Sequence, residues 1–132
     1  MQNKQNRKIT NRKNQFPPLM SVKVAVRVRP FNSRELELKS KLCIQMKGQT
    51  TTLTSPSGSP REFTFDYSFW SHDCFSIDEQ GRYLSATEKY ADQQKVFNAV
   101  GEEILKNAIE GYHCCLFAYG QTGSGKSYSM VG

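Results

Sequence analysis

The sequence contains no C-x-x-C pair and only two histidines, His72 and His113, with no metal-ligand spacing. That excludes the short patterns through which zinc sites are usually legible. Four cysteines, Cys43, Cys74, Cys114 and Cys115, do not suggest a disulfide framework, and they fit a reducing cytoplasm. No apolar run reaches membrane-spanning length, and the N-terminus lacks the apolar core of a secretory signal. Acids are missing from residues 1–19, where Lys4, Arg7, Lys8, Arg12 and Lys13 account for most of the net charge of +6. The remainder, which holds all 12 acids, is close to neutral. The basic character therefore belongs to a tail. Large apolar residues are nearly absent before Phe16, so residues 1–20 read as disordered, and Pro17-Pro18 stiffens the exit. A solvated, passive tail is preferred to one that grips nucleic acid, acidic lipid or an acidic protein surface. Met20 is a second candidate start, with residues 1–19 as an extension.

The chain that follows alternates between strand and helix patterns. Val22, Val24, Val26 and Val28 alternate with more polar neighbours and predict a strand, ended by Pro30. Ser33–Leu38 predicts a short helix or turn. Leu42–Met46 and Thr50–Thr54 are short strands around a turn at Gly48. Residues 55–60, SPSGSP, form a loop. Residues 62–70, EFTFDYSFW, alternate again and predict one strand. Ser71–Ala91 is polar and mixed, and is expected to be a surface loop with a helical turn around Leu84–Tyr90. Asp92–Glu110 is the clearest helix. Val96, Phe97, Val100, Ile104, Leu105, Ala108 and Ile109 make one apolar stripe, Asp92 suits the start and Gly111 the stop. Glu102 and Glu103 fall on its polar side, where a solvated face is the better reading than acid–base chemistry.

The last stretch carries the chemistry. Gly120-Gln121-Thr122-Gly123-Ser124-Gly125-Lys126-Ser127 is a G-x-x-x-x-G-K-[ST] phosphate loop. Cys114–Tyr119, before it, is uncharged and reads as a buried parallel strand with Cys114 and Cys115 as small core residues. Strand, glycine loop and helix start is the setting this motif needs. The glycines let the backbone wrap an anion, with N–H groups converging on it and the helix start adding attraction. Lys126 would reach the β- and γ-phosphates, and the Ser127 hydroxyl would hold Mg2+, a hard cation that takes oxygen ligands. A chance lysine beside a glycine-rich turn is the weaker alternative, because motif and setting agree.

Three segments, VAVRVRPFNSRE (residues 24–35), FTFDYSFW (residues 63–70) and EGYHCCLFAYGQTGSGKSYSMVG (residues 110–132), resemble a kinesin motor domain in order and wording. The resemblance is strongest to the kinesin-3, Unc-104-like group. It covers residues 21–132 except the loop after Trp70, which looks longer than in that family. It implies an α/β phosphate-loop NTPase with a motor-type sheet and flanking helices, here incomplete: an N-terminal fragment. It also implies ATP and Mg2+ as ligands, the microtubule as partner, and a cytoplasmic, cytoskeletal location. By resemblance, Arg27, Arg29 and Pro30 line an adenine pocket and Tyr128 stacks on the base. Without it, Arg27 and Arg29 read as solvent-facing strand residues. Phe65, Phe117 and the helical stripe are expected in the core on either reading.

The family needs more than this loop. The serine–arginine switch, the D-x-x-G-E-like switch, the track-binding elements and the strands flanking Cys114–Tyr119 would all follow Gly132. Phosphoryl transfer requires positioned water and charge stabilisation as well as phosphate binding. The resemblance therefore implies the front part of an ATP-driven microtubule motor that is not a competent motor alone. A truncated, non-catalytic nucleotide- or partner-binding product is the alternative. A nucleotide kinase or GTPase is disfavoured by Arg27-Val28-Arg29-Pro30 and Phe117-Ala118-Tyr119.

Overall fold

The computed structural model describes residues 22–132. The basic tail expected over residues 1–20 lies outside them. The valine alternation yields β1, Ala25–Val28. It is shorter than the alternation because its partner is short. β1 runs parallel to β5, Tyr67–Trp70, from the pair Ala25↔Tyr67 to Val28↔Trp70. Ahead of the ladder the Val24 amide donates to the Asp66 carboxylate at 2.8 Å.

Between these two strands lie a helix and a small sheet. Helix α1, Ser33–Glu37, is started by a capping box in which Asn32 and Glu35 exchange side-chain and backbone hydrogen bonds. Strands β2 (Ile44–Lys47), β3 (Thr50–Thr54) and β4 (Pro60–Thr64) form an antiparallel sheet in the order β2-β3-β4. The stretch expected as one strand, residues 62–70, is therefore two. Its first part pairs with β3 and its second crosses to β1. Gln49 donates to the Asp66 carbonyl and Ser68 to the Gln49 carbonyl, which fastens the joint. A strand that changes partner keeps its alternation, so the break leaves no mark in the pattern.

Ser71–Ala91 is not a plain loop. It contains a hairpin of β6 (Phe75–Ile77) and β7 (Tyr83–Ser85), and the helical turn expected around Leu84–Tyr90 is absent. Three-residue strands are too short to display a period. The predicted helix is present between Gln93 and Ile109, with Asp92 capping the Lys95 amide. It is assembled from α2 (Gln93–Val96), a π-helical turn (Phe97–Gly101) and α3 (Glu102–Ile109). Gly101 permits the turn, because a Cβ there would lie 2.6 Å from the Phe97 ring. Glu103 pairs with Lys23 on the exposed face. After Gly111 (φ 90°) the chain runs to the glycine loop and to α4, Lys126–Val131.

The strand expected over Cys114–Tyr119 is not formed, and its side chains are not core. Phe117 is 86% and Tyr119 102% exposed, Cys115 is exposed and Cys114 half-buried. A parallel strand buried on both faces needs neighbours on both sides. No described strand supplies them. The helical stripe is likewise half uncovered, with Leu105 and Ile109 exposed and no buried residue in α3. Among the described residues the buried apolar side chains are Phe69, Trp70, Tyr90 and Ala91, at the end of β5 and ahead of α2. An uncovered apolar face this broad favours association. The isolated 132-residue polypeptide is expected to bind the dye ANS and to lose its far-UV circular dichroism gradually on heating. A sharp two-state melt without dye binding contradicts that.

Candidate functional site

The site is built where the end of β1 meets the glycine loop and α4. Arg27 reaches across this junction. Its Nε donates to Ser71 Oγ (2.9 Å), its Nη2 to the Ala91 carbonyl (3.2 Å), and its Nη1 to Gln93 Oε1 and Ser129 Oγ. Its guanidinium also lies 5.3 Å from the centre of the Tyr128 ring. Burial pulls the Arg27 pKa below its ordinary value, with the nearby Tyr128, Tyr90 and Asp92 opposing. Burial likewise pushes the Tyr90 phenol upward. Arg27 is thus not a solvent-facing strand residue. It lines the cleft, but its fork is already engaged by protein groups.

Arg29 makes a second junction. Its Nε donates to the Gly123 carbonyl at 2.8 Å, and its two terminal nitrogens grip Glu35 at 2.7 and 2.8 Å. The loop is thereby tied to the capping box of α1. Hydrogen bonds from Arg29 and from the Asn32 amide hold the Glu35 carboxyl down at about 2, against an ordinary 4.5. The same pairing raises Arg29. Glu35 is bound as a carboxylate only in the folded chain. Its contribution is present in full above the unfolded value of 4.5 and is lost as pH falls through about 2.

The loop itself is strained where glycine allows it. Gly120 has φ 147°, and a Cβ there would lie 2.5 Å from Ser124 Oγ. That hydroxyl oxygen is buried and has no hydrogen-bond partner among the described residues. Lys126 curls back so that Nζ donates to the carbonyls of Gly120 and Gln121, each at 2.8 Å. Gly125, left-handed at φ 89°, starts α4 without a side-chain cap. A cradle that a Cβ would fill, holding an unpartnered hydroxyl beside a lysine, fits a polyphosphate.

The residues singled out from the sequence come together unevenly. Arg27, Arg29, Pro30, Gly123, Ser124, Gly125 and Tyr128 line one cleft of about 230 Å3. Lys126 faces the neighbouring apolar groove, together with Ser124 and Gly125, while Gln121, Thr122 and Ser127 are exposed. Glu35, Ser71, Gln93, Ser129 and Tyr83 were not anticipated. Asn32-x-x-Glu35 spells a capping box and marks Glu35 in retrospect. Gln93 and Ser129 stand 66 and 102 positions from Arg27, beyond any local signal.

The glycine loop, its lysine and the arginine–aromatic cleft define a phosphate-loop protein. Within that class, the model of the kinesin motor domain matches residues 27–132, and the chain belongs to the kinesin motor domain family. It is 52% identical over 115 residues to kinesin-like protein KIF1A of Rattus norvegicus, covering 85% of this chain and 6% of that protein. It is 51% identical over 119 residues to kinesin-like protein KIF13A of Mus musculus, covering 84% and 6%. A solved structure of KIF14 with ADP in complex with a microtubule matches with a TM-score of 0.68 and 41% identity, over 82% of this chain and 27% of that one. The chain thus spans part of the motor domains it resembles. The likeness to the kinesin-3 group expected from the motifs holds at about half identity.

Two outcomes follow from the junctions. Arg27→Ala strips hydrogen bonds from α2 and α4, each worth about 1.5–3 kcal/mol when made to a charged group. Amide exchange across Lys126–Val131 is expected to quicken at least about tenfold by mass spectrometry, and unchanged exchange contradicts the role. The Glu35 carboxyl, followed by carbon NMR, is expected to titrate near 2, and Arg29→Ala to move it back toward 4.5.

Proposed function

We propose that this chain binds ATP with Mg2+ through Gly120–Ser127, with the base in the cleft of Arg27, Arg29, Pro30 and Tyr128. It does so as the front part of an ATP-driven microtubule motor acting on the cytoskeleton in the cytoplasm. The observation that carries this reading is the loop: an unpartnered, buried Ser124 hydroxyl in a glycine cradle, with Lys126 parked on the loop carbonyls. An arriving phosphate offers the hydroxyl an acceptor. It also offers Lys126 a full negative charge in place of two carbonyl dipoles. Ser127 is the residue that would hold Mg2+, and the ion would neutralise phosphate oxygens. Pro30 and Tyr128 give a flat base apolar and aromatic contact. Arg27 acts on this cleft mainly by fixing α4, since its hydrogen bonds go to protein groups.

The kinesin motor family supports the microtubule as the partner, and the solved relative in complex with a microtubule points the same way. Among the described residues no helix is long and apolar enough to cross a membrane. The 132 residues carry the phosphate loop without the serine–arginine and D-x-x-G-E switches. Nucleotide binding without robust turnover is therefore expected of this polypeptide. Lys126→Ala is expected to abolish ATP binding in calorimetry. The unsubstituted polypeptide is expected to release little phosphate with or without microtubules. Unchanged binding by the variant refutes the site, and strong microtubule-stimulated release refutes the inactivity.

A further inference from the structure

The β6–β7 hairpin reaches the proposed nucleotide cleft. Tyr83 is half-buried there and lines the cleft together with Arg29 and Pro30, while its neighbour Leu84 is exposed. It does not hang free. Its ring meets Phe75 edge-on at 4.8 Å, Phe75 tilts against Tyr90 at 5.6 Å, and Tyr90 is only 2% exposed. On its other side Tyr83 meets Tyr128 edge-on, with ring centres 6.3 Å apart and planes at 81°. Four rings thus run from the core to α4; the hairpin contributes two of them, Phe75 from β6 and Tyr83 from β7, and Tyr83 is the one that lines the cleft.

The hairpin is built to hold that ring. Asp78 closes its turn by accepting from the amides of Gln80 and Arg82 and from Arg82 Nε. Its base is fastened by the Ala86 amide on the Cys74 carbonyl. The site therefore has an aromatic wall in place before a ligand arrives, so little ordering cost falls on binding. Arg29, which lines the same cleft, is spent within the protein, engaged by Glu35 and the Gly123 carbonyl. Contact with a flat ring is what this end of the cleft has to offer, and two aromatic side chains at a right angle give one face and one edge to it.

We propose that Tyr83 is a base-contacting, specificity-determining residue, and that the β6–β7 hairpin is the outer wall of a purine site. This rests on the nucleotide reading above. It concerns the base alone and leaves the phosphate cradle untouched. The test compares ATP with inorganic tripolyphosphate, each with Mg2+, by calorimetry on the full chain and on Tyr83→Ala and Tyr83→Phe. Tyr83→Ala is expected to weaken ATP about three- to tenfold, the scale of one aromatic contact, and to leave tripolyphosphate unchanged. Tyr83→Phe is expected to match the parent. Equal ATP affinity in Tyr83→Ala overturns the proposal. So does an equal loss for both ligands, which makes Tyr83 a purely structural support. Failure of the parent to bind either ligand instead sinks the nucleotide reading itself.

Discussion

Arg27 is the side chain on which the site depends. It leaves the middle of the parallel pair and is held by groups from four places: Ser71 after β5, Ala91, Gln93 on α2, and Ser129 on α4. A half-buried guanidinium is best tolerated when its donors are used, and here each nitrogen has a partner. The consequence is positional. The helix that follows the glycine loop is six residues long and could not stand alone. It is kept in place by this arginine, by the Gln93 side chain on the Tyr128 carbonyl, and by the ring contact.

Arg29 does the same for the other side of the loop. It joins Gly123 to Glu35, and Glu35 is also the third helical residue of the α1 capping box. One carboxylate therefore starts a helix and steadies a phosphate loop. Arg27 on β1 and Arg29 just past its end, two positions apart, line the same cleft and divide the task, one holding α4 and one holding the loop. Neither role requires a ligand, which makes the cleft a preformed one.

The neighbouring groove has the opposite character. Leu116, Phe117, Tyr119 and Val131 are exposed around a groove that also runs along Ala25, Val26 and Phe97. β1 and β5 pair only with each other among the described residues. The phosphate loop is thus supported well where arginines tie it and poorly on the approach from Tyr112. This contrast accords with a chain that covers 27% of a solved motor relative.

Much of this was legible from local pattern. The phosphate loop, the valine strand, the β2–β3 turn at Gly48 and the Asp92 cap each depend on residues a few positions apart. Their physics is short-range: a glycine torsion, a capped amide, an alternating face. What the pattern could not decide was partnership. Residues 62–70 read as one strand because alternation is blind to which neighbour a strand pairs with. Cys114–Tyr119 reads as buried because apolarity says what a segment prefers and not whether anything covers it. Arg27 reads as surface because its partners lie up to 102 positions away. The hairpin that brings Tyr83 to the cleft is too short for periodicity and was set by ring packing onto Tyr90. The sequence alone determined the family and the place of the phosphate loop, since both are written in contiguous residues. Tertiary structure alone decided which side chains hold that loop, because hydrogen bonds and ring contacts are made between residues that only folding brings together.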